Sequence, residues 1–256
     1  MRIVRFDLKG RSGYGVLDGE KVLPIWENPF AGLTETGEVL ALTEVTLLAP
    51  CEPSKIVALG LNYRDHAAEF GHAVPDEPLI FLKPSTAVIG PEANIIYPGM
   101  SRRVDYEAEL AVVISKTAHR VPEDRALEYV LGYTCFNDVT ARDLQKKDGQ
   151  FTRAKGFDTF AAMGPWIETE MADPDQVIVE AYLNGERRQH ASTGNMVFGV
   201  RRLIAFISEV MTLLPGDVIA TGTPSGIGPM RPGDVVEVRV EGIGALRNRV
   251  LAEEGR

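Results

Sequence analysis

The sequence predicts a β-rich α+β fold, on three observations. Short apolar or alternating runs bounded by glycine, proline and asparagine recur through the 256 residues. Asp18-Gly19 and Asn184-Gly185 are hairpin dipeptides between such runs. Helical patterning is confined to three stretches, near residues 62–70, 122–129 and 198–211.

Residues 1–50 read as a small N-terminal β-rich domain, with runs at Ile3–Phe6, Tyr14–Leu17 and Val22-Leu23. Pro50 and Pro53 then disfavour continuous helix or strand and mark a boundary, so a larger catalytic domain is expected over 51–256. It begins with a short buried strand, Lys55–Leu59, that runs into a turn and a short helix ending at Phe70. Asn62 or Asp65 is placed to cap that helix. His66 and Glu69 fall at i and i+3, side by side, where a carboxylate can orient an imidazole that activates water. An exposed helix face with an incidental contact is the plainer reading. Glu77–Leu82 is an apolar strand ending in a Lys-Pro-Ser turn, with Lys83 expected in solvent.

Val104–Ile114 is expected to be one strand. Alternation puts Asp105, Glu107 and Glu109 on one face, and Tyr106, Ala108, Leu110, Val112 and Ile114 on the other. Three carboxylates in a row repel one another unless they are solvated or a cation sits before them. The strand alone leaves both open. Pro122–Tyr129 reads as a helix with Glu123 and Asp124 in its first turn, where the dipole favours acids. The apolar strand after it ends at Asp138, and Arg142, Gln145 and Lys155 follow closely, a grouping suited to a cation and an organic acid together.

From Gln176 the pattern is β again. Phe198–Met211 carries a helical apolar stripe, Val200, Leu203, Ile204, Ile207, Val210 and Met211, assigned to the core. Pro215-Gly216-Asp217 and Pro232-Gly233-Asp234 are turns that each lead into a strand. Between them, Ala220–Pro229 is glycine-rich but lacks the Gly-Lys-Ser/Thr ending of a phosphate loop, so nucleotide binding is rejected. A turn whose backbone and Thr223 approach a small ligand is the alternative to a plain β-turn.

Hydrophobic residues make up 45% and charged residues 25% of the chain, the balance of an ordinary globular protein with a sizeable core. The formal net charge of -9 argues against nucleic acid or an anionic membrane surface as the main partner, since both need a basic face. Cys51 and Cys135 are too few for a disulfide framework and lack metal-type spacing, which fits a reducing, cytoplasmic home. Charges in Met1–Asp7 stand where a signal peptide needs an apolar run, and no stretch approaches the ~20 apolar residues of a membrane helix. A soluble, unprocessed protein is expected.

Taken together, the ordered motifs resemble those of the fumarylacetoacetate hydrolase family. They are Gly-Leu-Asn-Tyr-Arg-Asp-His-Ala-Ala-Glu from Gly60, Phe-Leu-Lys-Pro-Ser from Phe81, and Asp-Tyr-Glu-Ala-Glu-Leu from Asp105. Asn-Asp-Val-Thr-Ala-Arg-Asp-Leu-Gln from Asn137, Ala-Lys-Gly-Phe-Asp from Ala154 and Thr-Gly-Thr-Pro-Ser-Gly-Ile-Gly from Thr221 complete the set. The resemblance covers most of residues 52–256. It implies a mostly β fold, a mixed β-roll or sandwich of that family's C-terminal type with flanking helices, usually assembled as a homodimer.

The resemblance also implies roles. Glu107, Glu109 and Asp138 fall on the family's ligands for a divalent cation, and an all-oxygen set suits Mg²⁺ first, with Mn²⁺ or Ca²⁺ as alternatives. Asp105 is given a supporting role outside that set. Lys155 resembles the family's active-site lysine, His66 and Glu69 would supply or position water or move protons, and Arg142, Gln145, Thr223 and Tyr63 form the substrate-binding set.

The implied chemistry is cleavage of a C–C bond in a small 2-oxo acid, by hydrolysis or decarboxylation, through an enolate that the cation and Lys155 stabilise. The same enolate lies on the path of a tautomerisation. The alternative is therefore a 2-hydroxyhepta-2,4-diene-1,7-dioate isomerase or 5-oxopent-3-ene-1,2,5-tricarboxylate decarboxylase of aromatic-acid breakdown. A second substrate carboxylate would then want a further basic partner, with Arg64, Arg102, Arg103 and Arg153 as candidates. A non-catalytic binding module is the third reading, and retention of the whole residue set argues against it.

Overall fold

The computed structural model describes residues 1–69 and 73–254. Phe70, where the expected turn-and-helix segment ends, lies outside the described residues. Among the described residues twelve strands form the largest sheet, with Leu40–Ala41 at one edge and the first three strands next to it. Arg2–Leu8, Arg11–Asp18 and Lys21–Ile25 make an antiparallel meander whose Val4, Phe6, Leu17 and Val22 share a small core of their own. Arg2–Leu8 also pairs with Ala161–Glu168 through Arg2 and Ile3. From there the sheet runs through Val130–Asp138, Ala108–Ile114, Val218–Ala220 and Ile56–Gly60 to an edge strand, Leu79–Lys83.

Ala108–Ile114 is buried at every position. Its Leu110, Val112 and Ile114 belong to one apolar cluster, and its Ala111 and Val113 to a second one with Ile56, Ala58, Val218 and Ala220. A strand covered on both faces reads as a continuous apolar run, which is the pattern of this stretch. The first cluster also takes Val179, Ala181, Val236, Val238 and Val240 from a five-stranded sheet. That sheet is ordered Glu186–Ser192, Ile178–Leu183, Val235–Val240, Gly244–Ala252 and Asn94–Tyr97. The core thus lies between two sheets.

Three expectations of secondary structure need correction. Val104–Ile114 is two strands: Val104–Tyr106 sits in a three-stranded sheet with Thr140–Ala141 and Gly228–Met230, and Ala108–Ile114 in the large sheet. The ladder changes hands at Glu107 because side chains replace strand partners there. Glu107 N–H donates to Asn137 Oδ1 at 2.9 Å and Ala108 N–H to Gln189 Oε1 at 3.0 Å.

Glu123–Tyr129 is a 3-10 helix, not an α-helix, tightened by bonds such as Arg125 N–H to Pro122 O at 3.0 Å. The α-helix that packs beside it is Val200–Val210, with Val200, Leu203, Ile204 and Ile207 buried. Val210 is 56% exposed and falls outside the apolar stripe, whereas Met211 packs against the core. Its first N–H groups need an acceptor, and Asp175 Oδ1 takes that of Val200 at 3.0 Å. Cys51 and Cys135 are free and buried. Among the described residues no helix is long and apolar enough to cross a membrane.

Candidate metal centre and active site

Register brings the carboxylates together. Ala108 stands opposite Asn137 in the antiparallel ladder, and Asp138 N–H donates to Glu107 O at 2.9 Å, so the end of one strand lies beside the Glu-x-Glu of its neighbour. One oxygen from each of Glu107, Glu109 and Asp138 lies within 4.8 Å of the others, and all three residues are buried. At that spacing each ionised pair repels by roughly 3 kcal/mol at an effective dielectric near 20. Buried cations offset the repulsion. Lys155 Nζ donates to Glu107 Oε2 at 2.9 Å, Asp138 Oδ2 at 2.5 Å and Thr140 Oγ1 at 2.9 Å. Arg142 bonds Glu107 Oε1 through Nη2, Asp105 Oδ2 through Nε at 3.0 Å and Gln145 Oε1 through Nη1 at 2.6 Å.

Lys83 was expected in solvent, and that expectation is corrected: it is 1% exposed and its Nζ bonds Asp138 Oδ1. The reason is the strand's edge position. Its final inward side chain lands under Asp138 rather than at a turn. Period-2 alternation from Phe81 was the available signal.

These partners are shared unequally. Burial disfavours the Glu107 charge, yet Lys155 and Arg142 beside it hold that carboxyl well below the usual range. For Glu109, burial and then the charges of Asp138 and Glu107 push the carboxyl well above it. Burial also acts against the Lys155 charge, and Asp138 and Glu107 override it to hold the lysine above its ordinary value. At Lys83 burial wins over Asp138 and lowers the value.

Glu109 carries the test of a metal site. Its Oε2 accepts Gly222 N–H at 2.8 Å, while its Oε1 is buried with no hydrogen-bond partner among the described residues. A buried acceptor facing two further carboxylates fits a hard cation with oxygen ligands. Asp105 stands outside the cluster, held by Arg103 Nε at 2.9 Å and by Arg142, which ties it to Glu107.

A cavity of about 250 Å³ opens on this cluster, lined among others by His66, Glu107, Arg142, Gln145, Lys155 and Thr223. Leu59, Leu61 and Phe151 supply apolar wall. His66 is buried, with Nδ1 at 3.4 Å from Glu69 Oε2, and Glu69 is more exposed. Gln145 Oε1 is committed to Arg142, so contact with an anion must come from its NH₂ group. The Thr223 hydroxyl donates its one proton to Ala108 O at 2.9 Å, which leaves the backbone N–H as its donor towards an anion.

Tyr63 does not line the cavity. It is fully buried, and its hydroxyl has no partner among the described residues. Asn62, considered as a helix cap, instead braces two loops by donating to Thr221 O at 2.7 Å and accepting Phe198 N–H at 3.0 Å. Asp65 accepts from Ser225 Oγ at 2.8 Å. None of Arg64, Arg102, Arg103 and Arg153 lines the cavity, and Lys146, which the motifs did not single out, does.

Residues 55–251 match the family described as fumarylacetoacetate (FAA) hydrolase C-terminal. The chain belongs to this family. Residues 1–50 match a second description, Rv2993c-like N-terminal. A solved 2-hydroxyhepta-2,4-diene-1,7-dioate isomerase from Mycobacterium marinum superposes on this fumarylacetoacetate hydrolase family chain with a TM-score of 0.93. The two are 42% identical, and the match covers 100% of both chains. The mitochondrial oxaloacetate tautomerase FAHD2B of Bos taurus is 38% identical over 98% of this chain and 92% of its own. A maleylpyruvate hydrolase from Sphingobium sp. SYK-6 matches with a TM-score of 0.83 and 32% identity, over 99% of this chain and 100% of that one. Isomerase, tautomerase and hydrolase names thus occur among full-length relatives of one family of enzymes.

Proposed function

We propose that this family member is a divalent-metal-dependent enzyme that takes a small 2-oxo acid through its enolate and cleaves a C–C bond by hydrolysis or decarboxylation. One observation carries the reading: the Glu107 carboxylate belongs both to the three-acid cluster and to the cavity wall. An acid bound in the cavity therefore lies beside the cation site. A divalent cation held by Glu107, Glu109 and Asp138, with Mg²⁺ as first choice, would supply Lewis-acid charge that orients the 2-oxo acid and favours its enolate.

The chain's own residues do the rest. Lys155 and Arg142 bring positive charge to the cavity wall, where Lys155 faces developing oxyanion charge. Arg142 and the Gln145 amide orient the substrate carboxylate. His66, steered by Glu69, holds or moves a proton at Nε2 or Nδ1. The apolar wall at Leu59, Leu61 and Phe151 limits water. At about 250 Å³ the cavity lies just below the ~300 Å³ at which drug-sized sites begin, which favours small acids.

A second reading is isomerisation or tautomerisation through the same enolate, favoured by the isomerase and tautomerase among the relatives. Lys146 at the cavity would then meet a second carboxylate. A panel of oxaloacetate, acylpyruvates and dienoic diacids with Mg²⁺, read by enol absorbance and product identity, separates the two. Bond cleavage supports the lead, isomer without cleavage supports the second, and no turnover of any member refutes both. A cytoplasmic homodimer completes the proposal, and sedimentation velocity at micromolar concentration checks the assembly.

A further inference from the structure

Ala108 separates the two glutamates of the metal strand, and its backbone is held in an unusual way. Its N–H donates to Gln189 Oε1 at 3.0 Å. Gln189 Nε2 donates to Thr223 Oγ1 at 2.8 Å, and Thr223 Oγ1 donates to Ala108 O at 2.9 Å. The three bonds close a ring. Gln189 Nε2 also donates to Pro224 O at 2.8 Å. The amide orientation is set by these partners, since a backbone N–H requires the oxygen and a backbone carbonyl requires the nitrogen.

Gln189 comes from elsewhere in the fold. It sits on Glu186–Ser192, the outer hairpin strand of the five-stranded sheet, and is 1% exposed. The same strand backs the glycine-rich turn: a Cβ on Gly226 would fall 2.4 Å from Arg188 O, at a φ of +95° that disfavours side chains. The ring therefore stands where the metal strand leaves one sheet for another and has a strand partner, Asn137, on one side only, with Glu107 before it and Glu109 after it.

We propose that Gln189 is a positioning residue for the cation site: by closing a ring with Ala108 and Thr223, it sets how Glu107 and Glu109 stand about the cation and anchors the Thr223 turn to them. The proposal rests on the metal site of the preceding reading, and not on the reaction. Gln189 touches neither cation nor cavity. It acts through the Ala108 backbone.

The test is Mn²⁺ affinity by calorimetry on the full chain, with thermal unfolding measured in EDTA. Gln189→Met keeps the volume and removes all three bonds of the amide. It is expected to weaken Mn²⁺ binding by about tenfold or more, the scale seen when groups that orient metal ligands are lost. Thr223→Val breaks the same ring at another point without touching Gln189 and should weaken binding similarly. Thr223→Ser keeps the hydroxyl and should restore affinity near the wild-type value. The Gln189→Met/Thr223→Val double variant should lose little more than either single one, since one ring is broken once. Wild-type Mn²⁺ affinity in both single variants overturns the proposal, even if they melt earlier, because that is the signature of packing alone. A chain that binds Mn²⁺ but turns over no 2-oxo acid removes the proposed reaction and leaves these affinity ratios readable.

Discussion

At the scale of residues, the site is a cluster of three buried carboxylates that Lys155 and Arg142 neutralise unequally. Burial, Asp138 and Glu107 raise the Glu109 carboxyl well above its ordinary value. Below that raised value a proton must leave as a divalent ion enters, so Mn²⁺ affinity should fall with falling pH there and level off above it. Calorimetry in buffers of different ionisation enthalpy reads the released proton, and a pH-independent affinity would remove Glu109 from the ligands. Lys83 makes a second prediction. Removing one member of a buried ion pair leaves its partner uncompensated, typically at about 3–5 kcal/mol. Lys155 still pairs Asp138, so Lys83→Met should show part of that loss in urea unfolding with EDTA and recover some of it with Mn²⁺. A solvated lysine would cost under about 0.5 kcal/mol.

At the scale of elements, the site depends on two glycines of the glycine-rich turn that press against neighbouring residues. Gly222, at φ +99°, leaves its N–H on Glu109 and would place a Cβ 2.8 Å from that of Asn62. Gly226 is tighter still against Arg188. Gly226→Ala should cost roughly 1–3 kcal/mol, the range for a non-glycine residue forced into such backbone. Because the displaced turn carries Thr223, KM for the preferred acid should rise as well. Unaltered stability with unaltered KM would show that the turn is not held where these contacts put it.

At the scale of the molecule, the candidate cation site lies where two consecutive strands, Ala108–Ile114 and Val130–Asp138, pair in the middle of the largest sheet. Binding there should stabilise the whole fold. At a hundred times its Kd, a ligand of the native state adds about 2.7 kcal/mol, which for a chain of this size corresponds to a rise of roughly 5–10 °C in Tm. Mg²⁺ or Mn²⁺ should give that rise and EDTA should reverse it. A melting point indifferent to both would contradict a resident cation.

The mostly β class was legible because hairpin dipeptides, alternation and the stripe of Val200–Val210 are local signals. The triad Glu107, Glu109 and Asp138 was reached through ordered motifs resembling a family, since a row of acids on one strand is equally consistent with a solvated face. Tertiary structure decided what local pattern does not encode. It broke Val104–Ile114 into two strands, because the acceptors that replace the ladder, Asn137 and Gln189, lie 30 and 81 residues away. It buried Lys83, because the acid it neutralises arrives on a strand 55 residues later. It committed the Thr223 hydroxyl to Ala108, 115 residues distant. Sequence determined where most strands and the long amphipathic helix lie. Which of their side chains meet, and which are left to hold a cation, followed from register between strands, where the partners of buried polar groups are found.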